Sequence, residues 1–144
     1  MFYTKVTDSK GNVLIDNTEN KATQVFKAST ASLLTNAMED VLEKGTGVAA
    51  RLDNMHAAGK TGTTNEAKDL VFAGFTPYYT AAIWATYDTH AEFPESDREF
   101  HKRLWAKVMN EIHEGLADMD FETSATVQEA TICTKTGLLA RSSC

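Results

Sequence analysis

The run Ala58-Gly59-Lys60-Thr61-Gly62-Thr63-Thr64 places one ammonium group, three hydroxyls and two glycines within seven residues. Two kinds of anion recognition draw on that set: loops that cradle phosphates, and strand edges that bind a carboxylate. A phosphate loop needs a glycine five residues before Gly59, where this chain has Asn54, and a helix opening at the lysine, which Gly62, Thr63 and Thr64 oppose. A nucleotide-binding reading is therefore disfavoured. On a strand, Lys60 and Thr61 would point to opposite faces, and Gly62 would leave the backbone open to a ligand. An extended peptide could pair along such an edge through main-chain hydrogen bonds, while the lysine and flanking hydroxyls met its terminal carboxylate. Lys-Thr-Gly alone arises often by chance and then favours a turn-prone strand with a solvated lysine, so context decides.

Other chemistry-bearing residues read as structure. His56, His90, His101 and His113 fit no zinc spacing with Cys133 and Cys144, and Glu111, His113 and Glu114 do not form His-Glu-x-x-His. All four histidines are expected at the surface or in packing, and no metal or cofactor is expected. Lys135-Thr136-Gly137 repeats the motif's letters near the terminus without its surroundings. Trp84, Trp105 and the tyrosines at 78, 79 and 87 suit core or rim positions better than a ligand cage.

The elements that must position the run are legible from periodicity and turn residues. Tyr3–Val6 and Val13–Ile15 are short β-prone runs joined across Asp8-Ser9-Lys10-Gly11, which predicts a hairpin. Between Ser29 and Lys44 the residues Leu33, Leu34, Ala37, Met38, Val41 and Leu42 mark one helical face, with Ser29 or Thr30 as cap and Gly45 as terminator. Gly45-Thr46-Gly47 reads as a flexible break. Strands are expected at about 56–63, 70–75 and 80–87, closely connected and therefore antiparallel. Ser96 and Glu99 have the spacing of a capping box ahead of Phe100, Leu104, Val108, Ile112 and Leu116, which predicts a helix from about 97 to 115 lying on the sheet, its stripe widened by Trp105 and Met109. Val127–Cys133 is a candidate short strand in an otherwise loose end. The fold class is α+β.

With 144 residues, 42% of them hydrophobic, the chain can bury a real core, and its net charge of −6 offers no basic stripe for nucleic acid. No apolar run approaches the roughly 20 residues that span a bilayer, and Met1–Val6 lacks a signal-peptide stretch, so these residues read as soluble. Cys133 and Cys144 fit either a terminal disulfide in an oxidising compartment or two unrelated thiols.

Lys-Thr-Gly is one of three motifs of penicillin-binding proteins and related β-lactamases, and the likeness here runs well beyond it. Glu43–Ala50 resembles the Gly-Thr-Gly segment that precedes the active-site strand in bifunctional (class A) penicillin-binding proteins. Ala57–Asn65 is similar to that strand itself, and Asp69 with Phe72–Pro77 to the strand that follows. Ile83–Asp88 falls where the family has its last strand, and Val6–Leu14 resembles a hairpin known there. Val71 stands where tryptophan is expected, and Thr86 where glycine is common. No Ser-x-x-Lys and no Ser-x-Asn occurs in the chain, so the nucleophile, its lysine base and the second catalytic serine are missing.

The resemblance implies the C-terminal half of a β-lactamase/transpeptidase-like fold, with residues 1–122 as part of the transpeptidase domain and 123–144 as a tail. It implies a peptidoglycan D,D-transpeptidase whose serine attacks a D-alanine carbonyl of a stem peptide, forms an acyl-enzyme and passes it to an amine; β-lactams acylate the same serine. Lys60 would supply positive potential, Thr61 and Thr63 would contact the substrate or drug carboxylate with Gly62 and Thr64 beside them, and the Thr63 N–H would be an oxyanion donor. Alone, the chain is expected to be inactive. A non-catalytic peptide- or cell-wall-binding module on the same sheet is the alternative. The implied partners are stem peptide, β-lactams and the remainder of the domain, at the extracytoplasmic face of the bacterial membrane. Apolar surface left open by a missing half would favour a homodimer.

Overall fold

The computed structural model describes residues 3–19 and 23–141. A two-stranded hairpin, β1 (Lys5–Thr7) and β2 (Val13–Asp16), opens the chain. Its turn is held by Asp8, whose carboxylate accepts from the N–H groups of Lys10 and Asn12, and Gly11 adopts the positive φ (85°) that the turn needs. Helix α1 (Ala28–Glu43) follows, then a 3₁₀ turn at Val48–Ala50 that buries Ala50. Strands β3 (Ala58–Thr63), β4 (Asp69–Phe75) and β5 (Thr80–Thr86) form an antiparallel sheet in the order β3-β4-β5, and helix α2 (Phe100–Ile112) packs across β4 and β5.

The sheet follows from strict alternation. Leu70, Phe72 and Gly74 of β4 are buried on the face toward α2, while Val71 and Ala73 turn away from it. The register sets Gly59 opposite Gly74 and Thr61 opposite Phe72. The two facing glycines make room for rings: a Cβ on Gly59 would lie 2.6 Å from Phe72 Cζ, and one on Gly74 2.7 Å from Trp105 Cζ2. Phe72 and Trp105 meet edge to face at 4.9 Å, in a core completed by Leu42, Ala50, Leu52, Met55, Ala106 and Met109.

Several expectations need correction. The helix at 97–115 exists, but it starts at Phe100 and ends at Ile112, and no capping box forms: Ser96 Oγ donates to its neighbour Asp97 within a separate 3₁₀ turn, and the α2 N-cap is Glu99, without a side-chain cap bond. Its packed face is also different. Trp105 and Met109 are buried with Ala106, His101 and Lys102, whereas Phe100, Leu104, Val108 and Ile112 face outward, Leu104 at 45% and Val108 at 49% exposed. His101, Trp105 and Met109 are also four apart, so i+4 spacing marks two neighbouring rows on this helix and does not by itself say which of them meets the sheet.

In α1 only the C-terminal part of the expected face is packed: Leu42 is buried and Val41 joins the core, while Leu33 and Leu34 are exposed. Neither Ser29 nor Thr30 caps the helix; both lie inside it, and its N-cap is Lys27. The Gly45-Thr46-Gly47 break is pinned, because Gly47 N–H donates to Val41 O and a Cβ on Gly45 would sit 2.8 Å from Val41 Cα. The sheet strand begins at Ala58 rather than 56, and Val127–Cys133 forms no strand, only a bridge between Ile132 and Leu139. Lys135 to Gly137 occupy the turn beside that bridge. Cys133 is buried, and the choice between a terminal disulfide and two unrelated thiols turns on Cys144, which lies outside the described residues.

Candidate site on the β3 edge

Strand β3 is a border of its sheet, hydrogen-bonded to β4 only among the described strands. Thr64 N–H donates to Asp69 O. In an unbulged antiparallel ladder, pairs that exchange hydrogen bonds alternate with pairs that do not, so the N–H and C=O groups of Thr61 and Thr63 point away from β4, toward the open side. The exposed Lys60 ammonium lies on this border, where Nζ donates to Thr61 O at 2.9 Å and stands 3.4 Å from Thr61 Oγ1. A cation, two hydroxyls and two outward N–H groups thus lie within the four residues Lys60–Thr63.

Thr61 and Thr63 line a cavity of about 300 Å³ with Thr46, Arg98, His101 and Lys102. Thr61 Oγ1 is 2.8 Å from Thr46 Oγ1. Lys102 Nζ donates to Thr46 O at 2.8 Å and pairs with Glu99 Oε1 at 2.6 Å. Arg98 pairs with Glu95 and donates to Phe93 O. His101 is 2% exposed, and its Nδ1 has no hydrogen-bond partner among the described residues. Burial, helped by the adjacent Lys102 charge, pushes the His101 pKa below its usual range.

Thr64 is differently employed. Its hydroxyl donates to Asp69 Oδ2 and accepts from Asp69 N–H, closing the β3–β4 turn. Burial works to raise the Asp69 pKa, but hydrogen bonds from Trp84, Thr86 and Thr64 outweigh it and hold the carboxyl below its ordinary value. Glu66 and Ala67 in this turn have φ of 64° and 48°, the left-handed region that side chains other than glycine's disfavour. Val71, where tryptophan was expected, lies opposite Trp84, whose indole N–H donates to Asp69. Thr86 Oγ1 donates to Lys68 O.

Sequence reasoning missed the acidic surround of His56. Its Nε2 is 3.0 Å from Asp120 Oδ1, its Nδ1 is 3.8 Å from Glu39, and its backbone N–H donates to Asp118. Burial raises the Glu39 pKa. The His56 contacts fasten residues 117–124 to the lead-in of β3, while Phe121 against Phe75, Tyr78 Oη donating to Ala117 O, and Ser124 N–H donating to Ser32 Oγ tie them to the end of β4, the turn beyond it and α1. Among the described residues no group of three or more His, Cys, Asp or Glu side chains is arranged to hold a metal ion. His113 is buried, bonded to Thr76 Oγ1 and Met109 O, and His90 is exposed.

Residues 2–114 match the family described as penicillin binding protein transpeptidase domain. Penicillin-binding protein 1A of Clostridium perfringens (strain ATCC 13124) is 36% identical over 142 residues, covering 99% of this chain and 17% of that protein. Penicillin-binding protein 4 of Bacillus subtilis is 42% identical over 86 residues, covering 60% of this chain and 14% of that protein. The chain spans less than a fifth of the length of these relatives. Among solved structures, penicillin-binding protein 1A from Haemophilus influenzae superposes with a TM-score of 0.70 at 19% identity, covering 94% of this chain and 26% of that one. The PonA1 protein of Mycobacterium tuberculosis, solved with penicillin V, gives 0.61 at 25% identity, covering 83% of this chain and 34% of that one.

Proposed function

The chain belongs to the penicillin-binding protein transpeptidase domain family, and we propose that it supplies the Lys-Thr-Gly wall of a peptidoglycan D,D-transpeptidase whose nucleophilic serine lies on the remainder of the domain. The observation that carries this reading is the open β3 border, with the Lys60 ammonium and the outward N–H groups of Thr61 and Thr63 side by side. Such a border can align an extended stem peptide by main-chain hydrogen bonds, as strand addition does elsewhere.

In the proposed mechanism Lys60 and the hydroxyls of Thr61 and Thr63 attract the carboxylate of a D-alanyl-D-alanine end or of a β-lactam. Gly62, with no side chain, lets that ligand approach the strand closely. Thr64, its hydroxyl engaged by Asp69, fixes the end of the strand and borders the same surface. The serine attacks the carbonyl carbon, the amide C–N bond breaks, and the leaving D-alanine takes a proton. The Thr63 N–H stabilises the oxyanion of the tetrahedral intermediate; a donor of this kind is worth about 10²–10³ in rate. An amine of a neighbouring strand then accepts the acyl group and frees the serine.

Residues 1–122 form the domain portion in this reading and 123–144 its tail. The remainder of the domain covers the outward apolar residues of α1, α2 and β2; without it, that surface favours a homodimer. The site would work at the extracytoplasmic face of the bacterial membrane. Among the described residues no helix is long and apolar enough to cross a membrane.

Labelling with a fluorescent penicillin tests the proposal. The chain alone, which has no Ser-x-x-Lys, should take up no covalent label. The full-length transpeptidase should label, and Lys60→Ala should slow acylation by about 10². Full-rate labelling of the Lys60→Ala protein would refute the assignment. Reversible binding of D-alanyl-D-alanine peptides with no covalent label in the full-length protein would favour a binding module instead.

A further inference from the structure

We propose that Lys102 and Thr46 are positioning residues that orient the Thr61 hydroxyl toward an anionic ligand, an inference that rests on the carboxylate-binding role proposed for Thr61. Lys102 is only 6% exposed. A buried ammonium is costly unless its hydrogens are satisfied, and here they go to two acceptors, Glu99 Oε1 and the backbone carbonyl of Thr46. That carbonyl belongs to the Gly45-Thr46-Gly47 segment, already pinned on its other side by Val41: a Cβ on Gly47 would lie 3.0 Å from Val41 Cγ1. Thr46 is therefore clamped between α1 and α2, with its hydroxyl 2.8 Å from Thr61 Oγ1.

The chemistry of a hydroxyl sets the direction of the relay. Thr61 Oγ1 has one proton to give and two lone pairs to accept with. Lys60 Nζ, 3.4 Å away, can only donate to it. A carboxylate ligand can only accept, so it requires the Thr61 proton, and Thr46 must then be the donor in the Thr46–Thr61 bond. With Lys60 and Thr46 both donating to Thr61, the remaining proton points outward. The chain Glu99–Lys102–Thr46–Thr61 thus runs from the N-terminal end of α2 to the border of β3, and its product is a fixed donor for an anion rather than a freely rotating hydroxyl.

The test uses the full-length transpeptidase, a penicillin bearing its free carboxylate, and the methyl ester of the same penicillin, with binding and acylation rates separated by stopped-flow kinetics. Thr46→Val and Lys102→Met should each weaken binding of the acid by about 3- to 10-fold, the size of one lost hydrogen bond, and leave the ester nearly unchanged. Lys102→Arg should retain most of the affinity for the acid. In a Thr61→Val background, Thr46→Val should add nothing further. Equal losses for acid and ester, with or without a fall in melting temperature, would mean a general structural role and overturn the proposal. If Thr61→Val weakens the acid while Thr46→Val and Lys102→Met do not, the relay alone is wrong. If Thr61→Val itself leaves acid binding intact, the carboxylate role of Thr61 fails and the relay falls with it.

Discussion

Replacing Gly59 by alanine isolates the demand that the site strand places on the core beneath it. The new Cβ would stand 2.6 Å from Phe72 Cζ, 3.0 Å from Ala73 O and 3.2 Å from Gly74 Cα, whereas carbon atoms rest at about 3.5–4.0 Å. The Phe72 ring would have to retreat by roughly 1 Å, but it is fully buried and already abuts Trp105, whose ring in turn closes over Gly74. Overpacking of this kind costs about 1–3 kcal/mol. Against it stands a gain of about 0.4–1 kcal/mol from the stiffer unfolded chain, leaving a net loss of about 1–2 kcal/mol and a melting temperature lower by about 3–8 °C. Gly62→Ala is the control, since its Cβ would approach no atom closer than Val71 Cβ at 3.4 Å; it should be neutral or slightly stabilising. Urea and thermal unfolding followed by circular dichroism would measure both, with a shifted midpoint and an unchanged slope marking a pure stability effect. A Gly59→Ala chain as stable as the parent, or a Gly62→Ala chain equally damaged, would refute the packing argument.

Other outcomes are expected from the same geometry. His101 is held neutral by burial beside Lys102, so its folded-state pKa lies below the unfolded value of 6.5. The stability it contributes is fully present above pH 6.5 and is lost as pH falls through the folded-state pKa; His101→Phe should flatten that part of a stability-versus-pH curve, measured by urea midpoints. Glu66→Gly should relieve a left-handed residue (φ 64°) and raise stability by about 1 kcal/mol, which a thermal melt would register. Leu104→Lys and Val108→Glu should lower self-association of the isolated chain in analytical ultracentrifugation while leaving its melting temperature within a few degrees, because neither side chain is buried.

The sheet was legible because β-branched and aromatic runs of Leu70–Phe75 and Thr80–Thr86 are separated by short polar turns, and because Lys60 sits in a segment too rich in glycine and threonine for a helix. The existence of α2 was legible as well, but not its orientation. The eye follows Phe100, Leu104, Val108 and Ile112, yet Trp105 and Met109 are the side chains that fill the core, and hydrophobicity alone does not say which apolar side meets the sheet. The capping-box letters at Ser96 and Glu99 failed because Glu99 is engaged by Lys102 instead. The surroundings of the site were hidden for a different reason. Lys102 reaches Thr46 across 56 positions, and Asp118 reaches His56 across 62; no local pattern encodes such meetings. Gly45-Thr46-Gly47 reads in the sequence as a flexible break because glycine is permissive, whereas here the missing side chains of its glycines permit tight contact with Val41.

The two-sidedness of α2 bears on how tolerance to mutation would be mapped. In the 144-residue chain, Phe100, Leu104, Val108 and Ile112 behave as solvent positions, so a saturation scan of folding in this chain would score them permissive while rejecting changes at Trp105 and Met109. In a larger protein whose additional part rests on that side of the helix, polar substitutions at the same four positions would be rejected too. The difference between the two scans, position by position, would trace the footprint of that additional part.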